Sequence, residues 1–200
     1  GTPFSRNGIE DELPDEDTVC ALYLTACEEL ERAGLAQYEI SNFAKPGYFS
    51  RHNMKYWTLQ EYAGFGPGAH SDFGGVRYAF VRDLEAYCSG VESGGNILSE
   101  SERIPDRERD MEYLMLGLRT VEGICRKTFE NRCRMSFDPI EKVLEKMVSP
   151  GYARKEGDRW HLTPEGFLVS NQIIGQVLDA LGAEKLRREE AAARGDYRVC

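Results

Sequence analysis

Residues 38–71 constrain this chain more tightly than any other stretch, because they crowd turn-forming, aromatic and ligand-competent residues into one short run. Tyr38, Ile40 and Asn42 alternate with Glu39, Ser41 and Phe43, the period-two pattern of a strand with mixed faces. Lys45-Pro46-Gly47 ends that run, since proline removes a donor and glycine permits a turn. Next comes Ser50-Arg51-His52-Asn53-Met54-Lys55-Tyr56-Trp57. As a helix it places His52 and Tyr56 four apart on one face, with Asn53 and Trp57 on the neighbouring one. An imidazole beside two flat rings, flanked by Arg51 and Lys55, suits a planar anionic ligand. Rings stack, cations meet carboxylates, and a neutral imidazole nitrogen ligates iron. Ordinary packing is the competing reading, with His52 hydrogen-bonded in a capped turn and Trp57 in the core. Gly64-Phe65-Gly66-Pro67-Gly68-Ala69-His70-Ser71 closes the stretch. Alternating glycines let backbone approach a ligand, and successive N–H groups can cradle an anion, although a plain turn uses the same residues. The spacing matches neither a dinucleotide loop nor a P-loop.

Composition narrows the function classes. A hydrophobic content of 41% with 10% aromatics fits a globular chain, and no run reaches the roughly 18 apolar residues of a membrane span. No secretory leader pattern opens the sequence, although Gly1 is not an initiator methionine. A formal charge of −9 disfavours generic nucleic-acid binding. Cys20, Cys27, Cys88, Cys125, Cys133 and Cys200 are scattered without a CxxC pair, so reduced thiols in a cytoplasmic protein are expected, with Cys20 and Cys27 in the core.

Along the chain, Pro14-Asp15-Glu16-Asp17 starts a helix whose Val19, Leu22, Tyr23, Ala26, Cys27 and Leu30 form its apolar face. Helix followed by the Tyr38 strand reads as an αβ step of a barrel or doubly wound sheet. Residues 77–81 read as extended, residues 83–88 as helical, and Ser89-Gly90 with Ser93-Gly94-Gly95 as a linker. Beyond it, Pro105-Asp106 opens a long helix, two shorter helices follow, and residues 152–162 make a hairpin around Glu156-Gly157-Asp158, with His161 on the wing. Thr163-Pro164-Glu165 caps a final helix. Helices followed by a hairpin describe a winged-helix-like domain.

Together, Tyr38-Glu39-Ile40-Ser41-Asn42-Phe43-Ala44, His52-Asn53-x-x-Tyr56-Trp57 and Gly64-Phe65-Gly66-Pro67-Gly68-Ala69-His70-Ser71 resemble the consecutive signatures of HemW-type heme chaperones. These are radical SAM proteins related to the coproporphyrinogen III dehydrogenase HemN. Gly1-Thr2-Pro3-Phe4, the run from Glu112 through Arg119, and Leu162-Thr163-Pro164-Glu165-Gly166 extend the likeness. The resemblance implies an α/β plus α+β fold. Residues 1–88 would be the C-terminal part of a radical SAM (partial TIM-like) barrel, 89–104 a linker, 105–182 a winged-helix-like domain and 183–200 a charged tail. It also implies heme binding and delivery to apo-hemoproteins, with His52 linked to heme as its metal ligand and Asn53, Tyr56 and Trp57 completing the motif. Ala44 and His70 match positions that approach a second S-adenosylmethionine in the dehydrogenase branch. The family's [4Fe–4S] cluster sits on a CxxxCxxC triplet that this sequence lacks, so the chain reads as the C-terminal half and is not expected to perform radical chemistry alone. An oxygen-independent coproporphyrinogen III oxidase is the enzymatic alternative, and a winged-helix regulatory module the non-enzymatic one. Glu141, Glu145 and Asp138 on the second short helix speak against nucleic acid. No transmembrane segment is expected, membrane contact would run through partners, and unpaired sheet edges predict homodimers or aggregates.

Overall fold

The computed structural model describes residues 13–194. The Gly1-Thr2-Pro3-Phe4 match and Cys200 lie outside them. Helix α1 (Glu16–Arg32) begins as its acids predict, the Asp15 carboxylate accepting the Thr18 N–H at 2.7 Å. Its apolar face is only partly used. Cys27 is buried and Tyr23 half-buried, whereas Val19 and Leu22 stand open at 51% and 59% exposure, because the Cys27 side alone meets β1 and the short helix α7. The Tyr23 hydroxyl donates to the Ile40 carbonyl at 3.1 Å and accepts from the Gln37 amide at 2.7 Å. Burial pushes this phenol up to about 12.

The single strand expected at residues 38–43 is two. β1 (Ala36–Glu39) reverses onto β2 (Asn42–Ala44) as an antiparallel pair. The cause is Glu39, fully buried, whose carboxylate accepts the Ser41 N–H at 3.1 Å and the Asn42 amide and so holds the chain in a tight turn. The turn after β1 also ties to the C-terminal part, Ile40 N–H donating to the Arg119 carbonyl at 2.8 Å. Helix α2 (Arg51–Trp57) follows, capped by Ser50.

β3 (His70–Phe73), β4 (Val76–Phe80) and β5 (Leu98–Arg103) form an antiparallel sheet in that order, with α3 (Leu84–Ser93) between β4 and β5. Residues 89–104 are therefore not a free linker. They finish α3 and supply edge strand β5, whose six side chains are all exposed while its backbone pairs with β4. A polar sequence hid a strand held by ladder hydrogen bonds rather than burial.

α4 (Asp106–Gly117), β6 (Ile124–Cys125), α5 (Arg126–Cys133), α6 (Asp138–Lys146), β7 (Ala153–Glu156), β8 (Arg159–Leu162), α7 (Pro164–Leu168) and α8 (Ser170–Ala193) complete the chain. β6, β8 and β7 make a third antiparallel sheet, in that order. Gly123, at φ +61, lets β6 close on β8: a Cβ there would sit 2.0 Å from the Trp160 carbonyl oxygen. The expected last helix breaks at Val169 into α7 and α8, and α8 runs on through most of the presumed tail. His161 lies on the β8 strand of the hairpin, as expected, and is buried there, its Nδ1 3.0 Å from the Val121 carbonyl oxygen.

The main core belongs to this half. Leu114, Leu118, Ile124, Phe129, Phe137, Leu144 and Val177 are fully buried, and the Phe129 and Phe137 rings meet edge to face at 5.4 Å. The fold is mixed α/β. The αβ step read from sequence is present as α1 followed by β1, but all paired strands among the described residues are antiparallel, so no parallel pair of a barrel or doubly wound sheet is seen there.

One charge cluster fastens the second sheet to this core. Arg77, on β4, forks onto Glu112 of α4 at 2.9 and 3.2 Å and reaches Asp72 of β3 at 2.9 Å. Arg109 of α4 grips both Asp72 oxygens, one at 2.6 Å. Hydrogen bonds from Arg109 hold the Asp72 carboxyl below its ordinary range despite burial, with Arg77 adding to the effect, and the carboxylates in turn raise both guanidiniums. Arg109→Ala should cost about 3 kcal/mol in denaturant unfolding, since it leaves two carboxylates facing one guanidinium. Because Asp72 is depressed in the folded state, its contribution is fully present above about pH 4, the ordinary carboxylate value, and is lost as pH falls through the lower folded value. The stability gap between wild type and variant should therefore hold above about pH 4 and close below it.

Candidate functional site

α2 is short, and its geometry is set at its start. The Ser50 hydroxyl oxygen accepts the Asn53 N–H at 3.2 Å, so Asn53 enters the motif as the residue whose backbone is capped. One turn on, His52 and Tyr56 meet as the 3.6-residue period requires, their rings edge to face at 5.0 Å and the Tyr56 hydroxyl 3.2 Å from His52 Nε2. Tyr56 packs in turn edge to face on Tyr62 at 4.5 Å. Tyr62 exchanges backbone hydrogen bonds with Asp72, both at 2.9 Å, which joins the aromatic row to the charge cluster.

Between α2, Tyr62, β3, β4 and α4 lies a cavity of about 260 Å³, whose walls include Lys55, Tyr56, Trp57, Tyr62, Arg77 and Leu116. Three rings and two leucines make an apolar slot, with Lys55 and the Asp72–Arg77 ion pair on its polar side. Its size admits an edge of a planar aromatic ligand. Trp57 also walls a second cavity of about 260 Å³ with Tyr113, Cys125, Thr128 and Arg159. Arg77 borders a third of about 170 Å³ that holds His70, Tyr78 and Glu100.

The expected site residues are thus divided. Tyr56 and Trp57 share one slot. His52 stands exposed behind Tyr56 and does not line that slot, and Asn53 lies half-buried beside it. His70, exposed at the start of β3, lies 3.9 Å from Glu100 in the neighbouring cavity. Ala44 ends β2 and lines none of the three cavities.

The glycine loop has a structural explanation. Its N–H groups are spent inside the fold: Gly64 on the Ser71 hydroxyl at 3.0 Å, Gly66 on the Tyr87 hydroxyl at 3.3 Å and Gly68 on the Val81 carbonyl at 2.9 Å. They make no anion cradle. A Cβ on Gly64 would fall 2.3 Å from the His70 carbonyl oxygen, so glycine there lets the chain cross β3 and set Tyr62 against Tyr56.

Sequence reading missed Tyr62 and Cys125. Tyr62 carries no spacing signal to Tyr56, since its contact depends on the Tyr62–Asp72 bridge. Cys125 could be recognised only as the residue preceding a helix: it is the N-cap of α5, and N–H groups of Thr128 and Lys127 lower its thiol. Cys133 is its opposite, pushed up to about 12 by burial and by Asp110. At pH 8, iodoacetamide should therefore label Cys125 well before Cys133, as peptide mass mapping would show; the lowered thiol holds more thiolate at any given pH, the raised one almost none.

Against known families, residues 104–169 match the HemN C-terminal domain. The heme chaperone HemW of Bacillus subtilis is 32% identical over 170 residues, 84% of this chain and 45% of that protein, and HemW of Lactococcus lactis is 30% identical over 83% of the chain and 44% of its own length. This chain belongs to the HemW family of HemN-related proteins. A mitochondrial radical S-adenosyl methionine domain-containing protein of Danio rerio is 38% identical over 59% of the chain. The solved radical SAM coproporphyrinogen III oxidase HemN of Escherichia coli superposes with a TM-score of 0.63 at 15% identity, covering 84% of this chain and 42% of that one, which shows a shared fold. The chain spans about half the length of the curated HemW relatives it matches.

Proposed function

We propose that this HemW-family chain forms the heme-holding part of a chaperone that delivers heme to apo-hemoproteins. The observation that carries the reading is the aromatic slot built by the motif itself: Tyr56 and Trp57 of His52-Asn53-x-x-Tyr56-Trp57 wall a cavity that Tyr62, Lys55 and Leu116 complete. The residues present fit the cargo. Flat rings offer stacking surface, Leu116 adds apolar wall, and Lys55 suits a propionate. Arg77 is already bound to Asp72 and Glu112, so its task is to hold the wall. His52 and Asn53, on the same helix as Tyr56 and Trp57, would meet a ligand too large for the slot to enclose.

In the longer relatives, the β1–β2 hairpin with α1 would complete a radical SAM barrel carrying the [4Fe–4S] cluster and S-adenosylmethionine, with Ala44 and His70 toward a second cofactor. The open Val19 and Leu22 support that reading, being apolar positions this chain leaves uncovered. They also favour self-association of the isolated chain. α4, β6, α5, α6 and the β7–β8 hairpin follow the order of a winged helix. Glu141 of α6 is committed to Arg126, Lys155 and Trp160 rather than offered to a phosphate backbone. No helix among the described residues is long and apolar enough to cross a membrane, and the five described cysteines are free.

Titrating the chain with hemin while following the Soret band tests this reading. Saturable binding is expected, weakened about tenfold by Trp57→Ala, which removes one stacking wall, and unchanged by Phe65→Ala, whose ring is 88% exposed on the glycine loop. Equal weakening by both, or by neither, would reject the slot.

A further inference from the structure

β5 is the open edge of the second sheet. On the opposite side the Tyr62–Asp72 bridge closes β3, whereas no strand among the described residues lies beyond β5. Ile104 N–H donates to the Gly75 carbonyl at 3.3 Å, and Val81 N–H to the Ile97 carbonyl at 2.9 Å. By the alternation of an antiparallel ladder, Glu100 and Glu102 therefore turn their backbone groups to β4, and Ser101 and Arg103 turn theirs outward. Those outward groups make no hydrogen bond among the described residues. Ser99 is the extra residue of a bulge, its hydroxyl bonded to the Ala79 and Phe80 carbonyls at 3.2 Å, so the regular edge begins at Glu100.

Glu100 and Glu102, two residues apart, stand on one face of the strand. Neither has a permanent cation: Glu100 has only His70, 3.9 Å away, and Arg77, opposite Glu102 on β4, is spent on Asp72 and Glu112. The cavity of about 170 Å³ is lined by Glu100, Ser101 and Glu102 with Tyr78 behind them, so a long side chain from an added strand has a place to enter.

We propose that β5 is a docking edge for an extended segment of a partner protein that carries lysine or arginine two residues apart. Main-chain hydrogen bonds to Ser101 and Arg103 hold the strand, and its two cations lie directly opposite Glu100 and Glu102, one of them entering the cavity. A second copy of this chain fits badly there. Two-fold pairing sets Glu100 against Glu102 when centred on Ser101, Glu102 against itself when Ser101 meets Arg103, and Arg103 against itself when centred on that residue, each an unfavourable cross-strand pair. Acids on an edge also keep it from pairing at random, but a merely protective edge refuses a basic strand as well. Arg77 walls the aromatic slot, so the docked strand runs two strand spacings, about 10 Å, from it. The docking does not depend on what that slot holds.

The full chain is titrated with the blocked hexapeptide Thr-Lys-Val-Lys-Val-Thr and with its acidic counterpart Thr-Glu-Val-Glu-Val-Thr, following backbone amides by nuclear magnetic resonance and by hydrogen exchange. The basic peptide should bind saturably, about tenfold more tightly than the acidic one, and slow exchange at Ser101 and Arg103. Glu100→Lys combined with Glu102→Lys should reverse the preference. Ser101→Pro removes an outward N–H and spares the β4 ladder, so it should abolish binding with the unfolding midpoint nearly unchanged. Should that variant fold poorly, the charge reversal alone decides. No saturable binding of the basic peptide, equal binding of the two, a preference that survives charge reversal, or full binding by a folded Ser101→Pro would overturn the proposal and leave the heme reading intact. Protection of residues 101–103 that grows with protein concentration in the absence of peptide would also overturn it, by putting a second copy on the edge.

Discussion

The docking of the β3–β4–β5 sheet on α4 through Asp72, Arg77, Arg109 and Glu112 is the interaction on which the rest depends. Two cations and two anions alternate there, each guanidinium meeting both carboxylates, so the expense of taking charges out of water is met inside the cluster. Few apolar side chains of the sheet are buried: of its described residues Ala79 alone belongs to the buried hydrophobic set. Electrostatic fastening therefore replaces the hydrophobic packing that holds α4, α5, α6 and α8 together. Because Asp72 and Arg77 also wall the aromatic slot, the same contact that holds the sheet in place defines the shape of the site.

From that anchor the site follows in short steps. Asp72 pairs with Tyr62 through the backbone, Tyr62 packs on Tyr56, and Tyr56 reaches His52. Gly64 is the permissive element, since its missing side chain lets residues 62–64 pass over β3. A seven-residue helix would be marginal in isolation, so α2 owes its order to the Ser50 cap and to contact with α4. The resulting surface belongs to a rigid seam between two elements.

Much of this was legible in sequence. Helix starts followed capping chemistry, as at Asp15 and Thr163, and the tight hairpin at Gly157 was visible from its turn residues. Helical spacing within the motif put Tyr56 and Trp57 on one short helix, as observed. What stayed hidden shares one cause, dependence on distant partners. The reversal at Ile40 and Ser41 turns on a buried Glu39, a residue whose charge argues for the surface until its hydrogen bonds are seen. β5 has no apolar face and exists because β4 pairs with it. The glycine loop left an anion cradle and a plain turn both open, because sequence cannot say that Ser71, Tyr87 and Val81 consume its donors. Helical spacing put His52 and Tyr56 together, but only the position of α4 and Tyr62 decides which of them faces the slot.

Amide hydrogen exchange, compared with and without saturating hemin, tests the central claim most directly, because it reports where a flat anionic ligand rests without altering any residue. Binding at the seam predicts added protection over α2, residues 59–62 and the β3–β4 pair, with α6, α8 and the β7–β8 hairpin unchanged. Protection confined to the second or third sheet's outer edge, or spread over the exposed face of α1 while residues 51–62 exchange as before, would contradict it.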